Sequence, residues 1–265
     1  MGSLRLTLKK LKVLIEVYYA YMLEYRAEIV LWMLSGILPF ILMAVWMNAA
    51  TRSDFGYSPV DFARYFLAVF ITHQMTTVWV IWEFEHDVLR GQLSPYLLQP
   101  MDPVWRYVSS HVAERLSRFP FLLLLVLLFF LLYPRAIWIP SPRELLLFFL
   151  VGNFAFAVRF LLQYSLAMLS FWIERATAFE ELHMLLFLFL SGYVAPLELF
   201  PEGVRSLILW TPFPYMIDFP VRILLGGEVE LARGLTVMGV WFVVLLLLNR
   251  LLWRLGLAKY SAMGA

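Results

Sequence analysis

The sequence predicts an all-α integral membrane protein, with six transmembrane helices, an N-terminal amphipathic interfacial helix and a re-entrant helical hairpin between spans five and six. Three observations carry that expectation. Hydrophobic residues make up 62% of the chain and charged residues 15%, with a mean hydropathy of +0.78, a balance foreign to ordinary soluble domains of 265 residues. The apolar residues gather into runs approaching the roughly 20 residues needed to cross a hydrocarbon core of about 30 Å. One stretch, 191–227, lies between two such runs but is interrupted by prolines throughout.

The first element, residues 1–26, reads as an interfacial helix. Leu4, Leu8, Leu11, Ile15, Tyr18, Met22 and Tyr25 recur at steps of four and three, while Arg5, Lys9, Lys12 and Glu16 recur on the other side. A signal peptide is disfavoured because Glu16, the tyrosines and Glu24 interrupt any apolar core. Spans are expected over 29–50, 62–82, 145–173 and 234–253, with a short fifth span over 182–195. The third has an uncharged run of only 119–133, so it extends a helix from about 104, with Arg115 and Arg118 snorkelling and Pro120 kinking it.

Basic residues set the orientation. With the N-terminus inside, thirteen Lys and Arg fall in cytoplasmic segments and seven outside, with Arg159 left within a span. Both termini are therefore expected in the cytoplasm.

Two connections are informative. The stretch opened by Gly192 has prolines at Pro196, Pro201, Pro212, Pro214 and Pro220, each lacking a backbone donor. The spacing predicts short helices over 201–210 and 215–225, turning at 211–214, with Pro201 at a first helical position. Glu198, Glu202, Arg205, Asp218 and Arg222 require water or headgroups, so 196–227 is read as a re-entrant or outer-surface hairpin. An external loop resting on the membrane is the alternative. The second connection, 83–103, begins with a charged helical turn of Glu83, Glu85, Asp87 and Arg90, breaks at Gly91, and continues with Leu93, Tyr96 and Leu97 between prolines. Such a helix beneath a bundle suits docking into a groove on a soluble partner; a solvated loop is the alternative.

Together these features resemble the permease subunit of a type-2 ATP-binding cassette (ABC) exporter: an amphipathic first helix, six spans, the link RGQLSPYLLQP, and SGYVAPLELFP…PFPY…FP…LLGG after the fifth span. The resemblance covers nearly the whole chain and implies one membrane-spanning permease domain over 1–265 in a bacterial or archaeal cytoplasmic membrane. It also implies export driven by a separate ATP-binding subunit, coupling through the first cytoplasmic link, and a second permease subunit, the same chain or a paralogue. No G-x-x-x-x-G-K-S/T motif is present, so ATP and Mg are expected on the partner ATPase and no cofactor on this chain.

Two other functional classes are open to the residues. Glu83 with His86, and Glu180 with His183, are both Glu-x-x-His, a pattern used with further carboxylates, here Glu114 and Glu174, by di-iron enzymes. A non-transporting membrane scaffold is the other. A net charge of +2 offers nothing for nucleic acid, and the lack of cysteine excludes disulfides and Cys-based zinc sites. Arg159 is the one charge expected near mid-membrane, with Asn153 and Gln163 on its helix. It is read either as an interhelical tie, for example to His73 or Gln74, or as a contact to a polar or anionic cargo group. Aromatic residues at 17% suit an amphipathic, lipid-like or drug-like cargo.

Overall fold

The computed structural model describes residues 2–53 and 55–262; side chains of 2–7, 26, 34, 35, 261 and 262, including Leu4 and Arg5 of the first stripe, lie outside the description. The described residues form helices and no strand. Five helical stretches are long and apolar enough to cross a membrane: Ala27–Ala50, Pro59–Leu89, Val104–Leu132, Pro142–Phe171 and Leu231–Tyr260.

Helix α1, Gly2–Glu24, packs chiefly along the third stretch. The first stretch is two helices, α2 (Arg26–Ser35) and α3 (Leu38–Ala50), parted at Gly36, where Pro39 opens α3 without an N–H of its own. The second is α4 (Pro59–Thr76) and α5 (Val80–Leu89), parted over 77–79. Unbroken helix is expected there from apolarity alone. The hydroxyls of Thr72, Thr76 and Thr77 instead bond to the carbonyls four residues back, competing with the helical ladder. The freed Trp79 N–H donates to His111 Nε2 at 2.9 Å, with His111 Nδ1 2.8 Å from the Tyr107 carbonyl. A break at membrane depth is thus satisfied by a neighbouring helix.

After the short α6 (Leu93–Leu97) comes α7 (Val104–Leu132), continuous through Pro120. Next is α8 (Pro142–Ala167), extended by a 3-10 turn, Met168–Phe171. Helices α4 and α8 begin with the same device, Ser58 with Asp61 and Ser141 with Glu144 forming reciprocal capping boxes around Pro59 and Pro142.

The expected fifth span ends early. Helix α9 covers Ala178–Leu190, 13 residues, or about 20 Å at 1.5 Å per residue. Gly192 with φ of 85° then stops it. The hairpin helices appear as α10 (Glu202–Ile208) and α11 (Asp218–Leu224), separated by a 3-10 turn, Phe213–Met216. Pro201 caps α10 from outside rather than occupying its first position, which Glu202 takes. Helix α12 runs over Leu231–Ala262.

The second and fourth stretches form the core, with 67% and 50% of their apolar windows buried, against 19%, 22% and 17% for the first, third and last. Helices α8 and α12 are parallel, because their contacts advance together: Phe154 meets Phe242, Leu161 and Ser165 meet Asn249, and the Phe171 ring covers Gly256. Residues 172–230 therefore carry the chain back to the end where α8 began; there Gly226 lies against Glu144.

Candidate functional site

The expected coupling residues are held more tightly than a projecting docking helix would be. Glu85 accepts bonds from the Thr177 N–H at 2.7 Å and the Thr177 hydroxyl at 3.2 Å, tying α5 to the turn before α9. Asp87 accepts from the Tyr107 hydroxyl at 2.7 Å. Leu93 is fully buried in a cluster with Phe84, Val88, Tyr107 and Tyr260, and the Ser94 and Tyr260 hydroxyls are 3.0 Å apart. The guanidinium of Arg106 lies 3.9 Å from the Tyr96 ring centre, and Leu97 is partly buried against the same cluster. Hence Leu93, Tyr96 and Leu97 secure the link to its own bundle, while Leu89, Arg90 and Leu98 form its exposed tip, Leu98 being 88% accessible. The link is too short to leave the bundle, so its apolar residues bury where they are.

Arg159 is 2% exposed, with its guanidinium 4.1 Å from the Phe187 ring centre and Nη1 3.4 Å from Thr76 Oγ1. His73 reaches the same ring, 6.2 Å between centres. The polar residues on its own helix have other partners: Asn153 accepts from Arg115 at 2.9 Å, and Gln163 donates to Glu180 at 2.8 Å. Arg159 is also not alone at depth. Arg115 and Arg118, expected to snorkel, turn inward; Arg118 is 5% exposed, pairs with Glu114 and lies over the Trp79 ring. Asn153 on α8 and the Trp79 ring before α5 make that inward course available to Arg115 and Arg118, whereas Glu114, one turn before Arg118, is a partner within α7 itself.

The two Glu-x-x-His pairs do not build a metal centre. Glu180 binds His183 at 3.1 Å and Gln163, whereas exposed His86 lies 3.9 Å from Asp87. Glu114 is committed to Trp79 Nε1 and Arg118, and Glu174 is exposed. Among the described residues no group of three His, Asp or Glu could hold a metal ion.

At the other end of the molecule the proline-rich stretch closes on α4. The Tyr65 hydroxyl donates to the Gly192 carbonyl at 2.7 Å, and the Asp218 N–H to the Ser191 carbonyl at 2.9 Å. Arg222 bonds Asp218 at 2.7 Å and pairs with Glu198. Pro196 precedes a 3-10 turn, Leu197–Leu199; Pro212 precedes the next and Pro214 lies within it; Pro220 is buried in the first turn of α11.

Beside α1, a cavity of about 660 Å³ opens between α1, α5, α6 and α7, lined by Tyr18, Glu83, Asp87, Tyr96 and Arg106 among others. Burial raises the Tyr18 hydroxyl to about 12, with the Arg106 charge acting in the opposite sense.

A comparison with curated proteins gives no match. The family profile described as "ABC-2 family transporter protein" matches residues 33–264, from within α2 almost to the last residue. It covers most of the first apolar stretch, the other four whole, the link and the hairpin, so this chain belongs to the ABC-2 transporter family, as a transmembrane subunit of an ABC transporter.

Proposed function

We propose that the chain is the permease of an exporter driven by a separate ATP-hydrolysing subunit, working beside a second permease subunit and moving an amphipathic, lipid-like or drug-like cargo. The observation that carries this is the form of the first link. Span two continues as α5 into a link that Glu85, Asp87 and Leu93 fasten to the bundle, with Leu89, Arg90 and Leu98 exposed at its tip. A partner pushing on that tip would move α4 and α5, the most buried elements, as a lever.

The same reading takes the chain through the membrane six times, with both termini in the cytoplasm and 196–227 re-entrant or lying at the outer face. The parallel course of α8 and α12 supports it, because α9 and the residues after it must regain the starting level of α8. The ties of Thr177 to Glu85 and of Gly192 to Tyr65 sit 20 positions apart on span two, about 30 Å in helical rise. Helix α9 bridges these levels although it is short, because side chains at both ends reach out to meet it. Arg159, packed on Phe187, serves in this scheme as an interhelical tie.

The test is co-expression with the ATPase subunit and transport-stimulated ATP hydrolysis in proteoliposomes. Leu98→Asp with Arg90→Glu should release the ATPase during purification while the permease keeps its thermal stability. Normal assembly and full stimulation in that variant would assign coupling to another surface.

A further inference from the structure

The cavity beside α1 has a charge arrangement of which the coupling role uses only Asp87. Glu83 and Asp87 stand one turn apart on α5 and both line it. From α7, Arg106 lines the same space, its guanidinium 3.9 Å from the Tyr96 ring centre and 5.7 Å from that of Tyr18. Among the described residues neither Glu83 nor Arg106 forms an ion pair or a hydrogen bond to another side chain, although both are partly buried. Asp87 gives one oxygen to Tyr107 and leaves the other 3.9 Å from exposed His86.

Partly buried charges that lack an opposite charge or a side-chain hydrogen bond are costly. Two carboxylates on one wall and a guanidinium on the other, with tyrosine rings between, match a ligand carrying both signs a few ångströms apart. The guanidinium fits a phosphate, since it is planar and offers paired donors. Carboxylates and aromatic faces fit an ammonium. Two rim residues are open, Trp82 at 46% and Tyr21 at 54% exposure, and aromatic residues of this kind settle at the membrane interface. The volume of about 660 Å³ admits a head group but not two acyl chains as well, so the chains would leave past that rim into the bilayer.

We propose that this cleft binds the head group of a zwitterionic phospholipid with a primary ammonium, phosphate on Arg106 and ammonium on Glu83 and Asp87. The amphipathic helix α1 is then one wall of a lipid site, with Tyr18 positioning Arg106. This assignment does not depend on what the transporter carries.

The experiment is native mass spectrometry of the purified full-length chain titrated with phosphatidylethanolamine, phosphatidylcholine, phosphatidylglycerol and soluble glycerophosphoethanolamine. The wild-type chain should hold phosphatidylethanolamine about tenfold more tightly than phosphatidylglycerol, a difference near 1.4 kcal/mol, and more tightly than the methylated phosphatidylcholine. Arg106→Gln should weaken all three lipids. Glu83→Gln with Asp87→Asn should erase the preference for ethanolamine and leave phosphatidylglycerol bound at least as well. Equal wild-type affinity for phosphatidylethanolamine and phosphatidylglycerol would overturn the proposal, as would a double variant that keeps the preference. Soluble glycerophosphoethanolamine binding as tightly as the lipid would assign the cleft to a free head-group compound instead and overturn the membrane source. Should either variant fail to fold, the wild-type comparison of the three lipids decides alone.

Discussion

Gly192 shows how much one residue can settle. Its φ of 85° is open to glycine and strained for other residues, and a Cβ there would lie 2.8 Å from the Asp218 Cβ and 2.9 Å from the Tyr65 hydroxyl. Gly192→Ala should therefore cost at least the ~1–2 kcal/mol of left-handed strain and separate α9 from the hairpin. Thermal unfolding followed by fluorescence-detected size exclusion measures this, with Gly203→Ala as the control because nothing lies within 4 Å of a Cβ there. Arg159 belongs to the same scale. Its best partner is the Phe187 ring, not an acid, and a desolvated cation on an aromatic face is worth about 2 kcal/mol. Arg159→Gln and Phe187→Leu should each lower the melting temperature, and transport should fall in parallel. Intact stability with lost transport in Arg159→Gln would instead make the arginine a cargo contact.

Among the elements, the link over 83–103 divides into an anchored part and an exposed part, and the two predict opposite phenotypes. Leu93 is fully buried, so Leu93→Ala should destabilise the permease by roughly 2–5 kcal/mol. Leu98 is 88% accessible, so changing it should leave stability within about 0.5 kcal/mol and act on ATPase retention alone. Parallel denaturation and pull-down measurements on the two variants separate these outcomes. Equal loss of stability in both would mean that the tip is packed as firmly as the anchor. The capping boxes at Ser58 and Ser141 make a related point: each is a local four-residue signal, readable in the chain, that marks where a buried helix begins.

At the scale of the whole molecule, topology is the property to test, and a chain without cysteine is suited to it. Single substitutions Arg135→Cys and Gly203→Cys should react with a membrane-impermeant maleimide from outside intact cells. Arg90→Cys and Lys259→Cys should react only after permeabilisation. Labelling of Lys259→Cys from outside would leave five crossings and end the six-span reading, because it would place the start and end of the chain on opposite sides.

What the sequence determined by itself was set by composition and local rules. Apolar runs, the amphipathic register of α1 and the prolines of 196–227 yield the membrane class, most of the helices and the broken stretch, since these depend on water avoidance and backbone donors within a few residues. The stretch after α9, which carries much of the resemblance, lies within the family match. Side-chain partners across helices were decided only by tertiary structure. The break over 77–79 exists because His111, 32 residues on, accepts the freed Trp79 N–H. Arg115 turns inward to Asn153 of α8, and Arg118 to the Trp79 ring. Glu83, Glu85 and Asp87 read as one exposed charged turn, yet Thr177 and Tyr107 claim two of them and a cleft the third. Such partnerships depend on which faces the bundle brings together, and a single helix's periodicity names a face without naming what it meets.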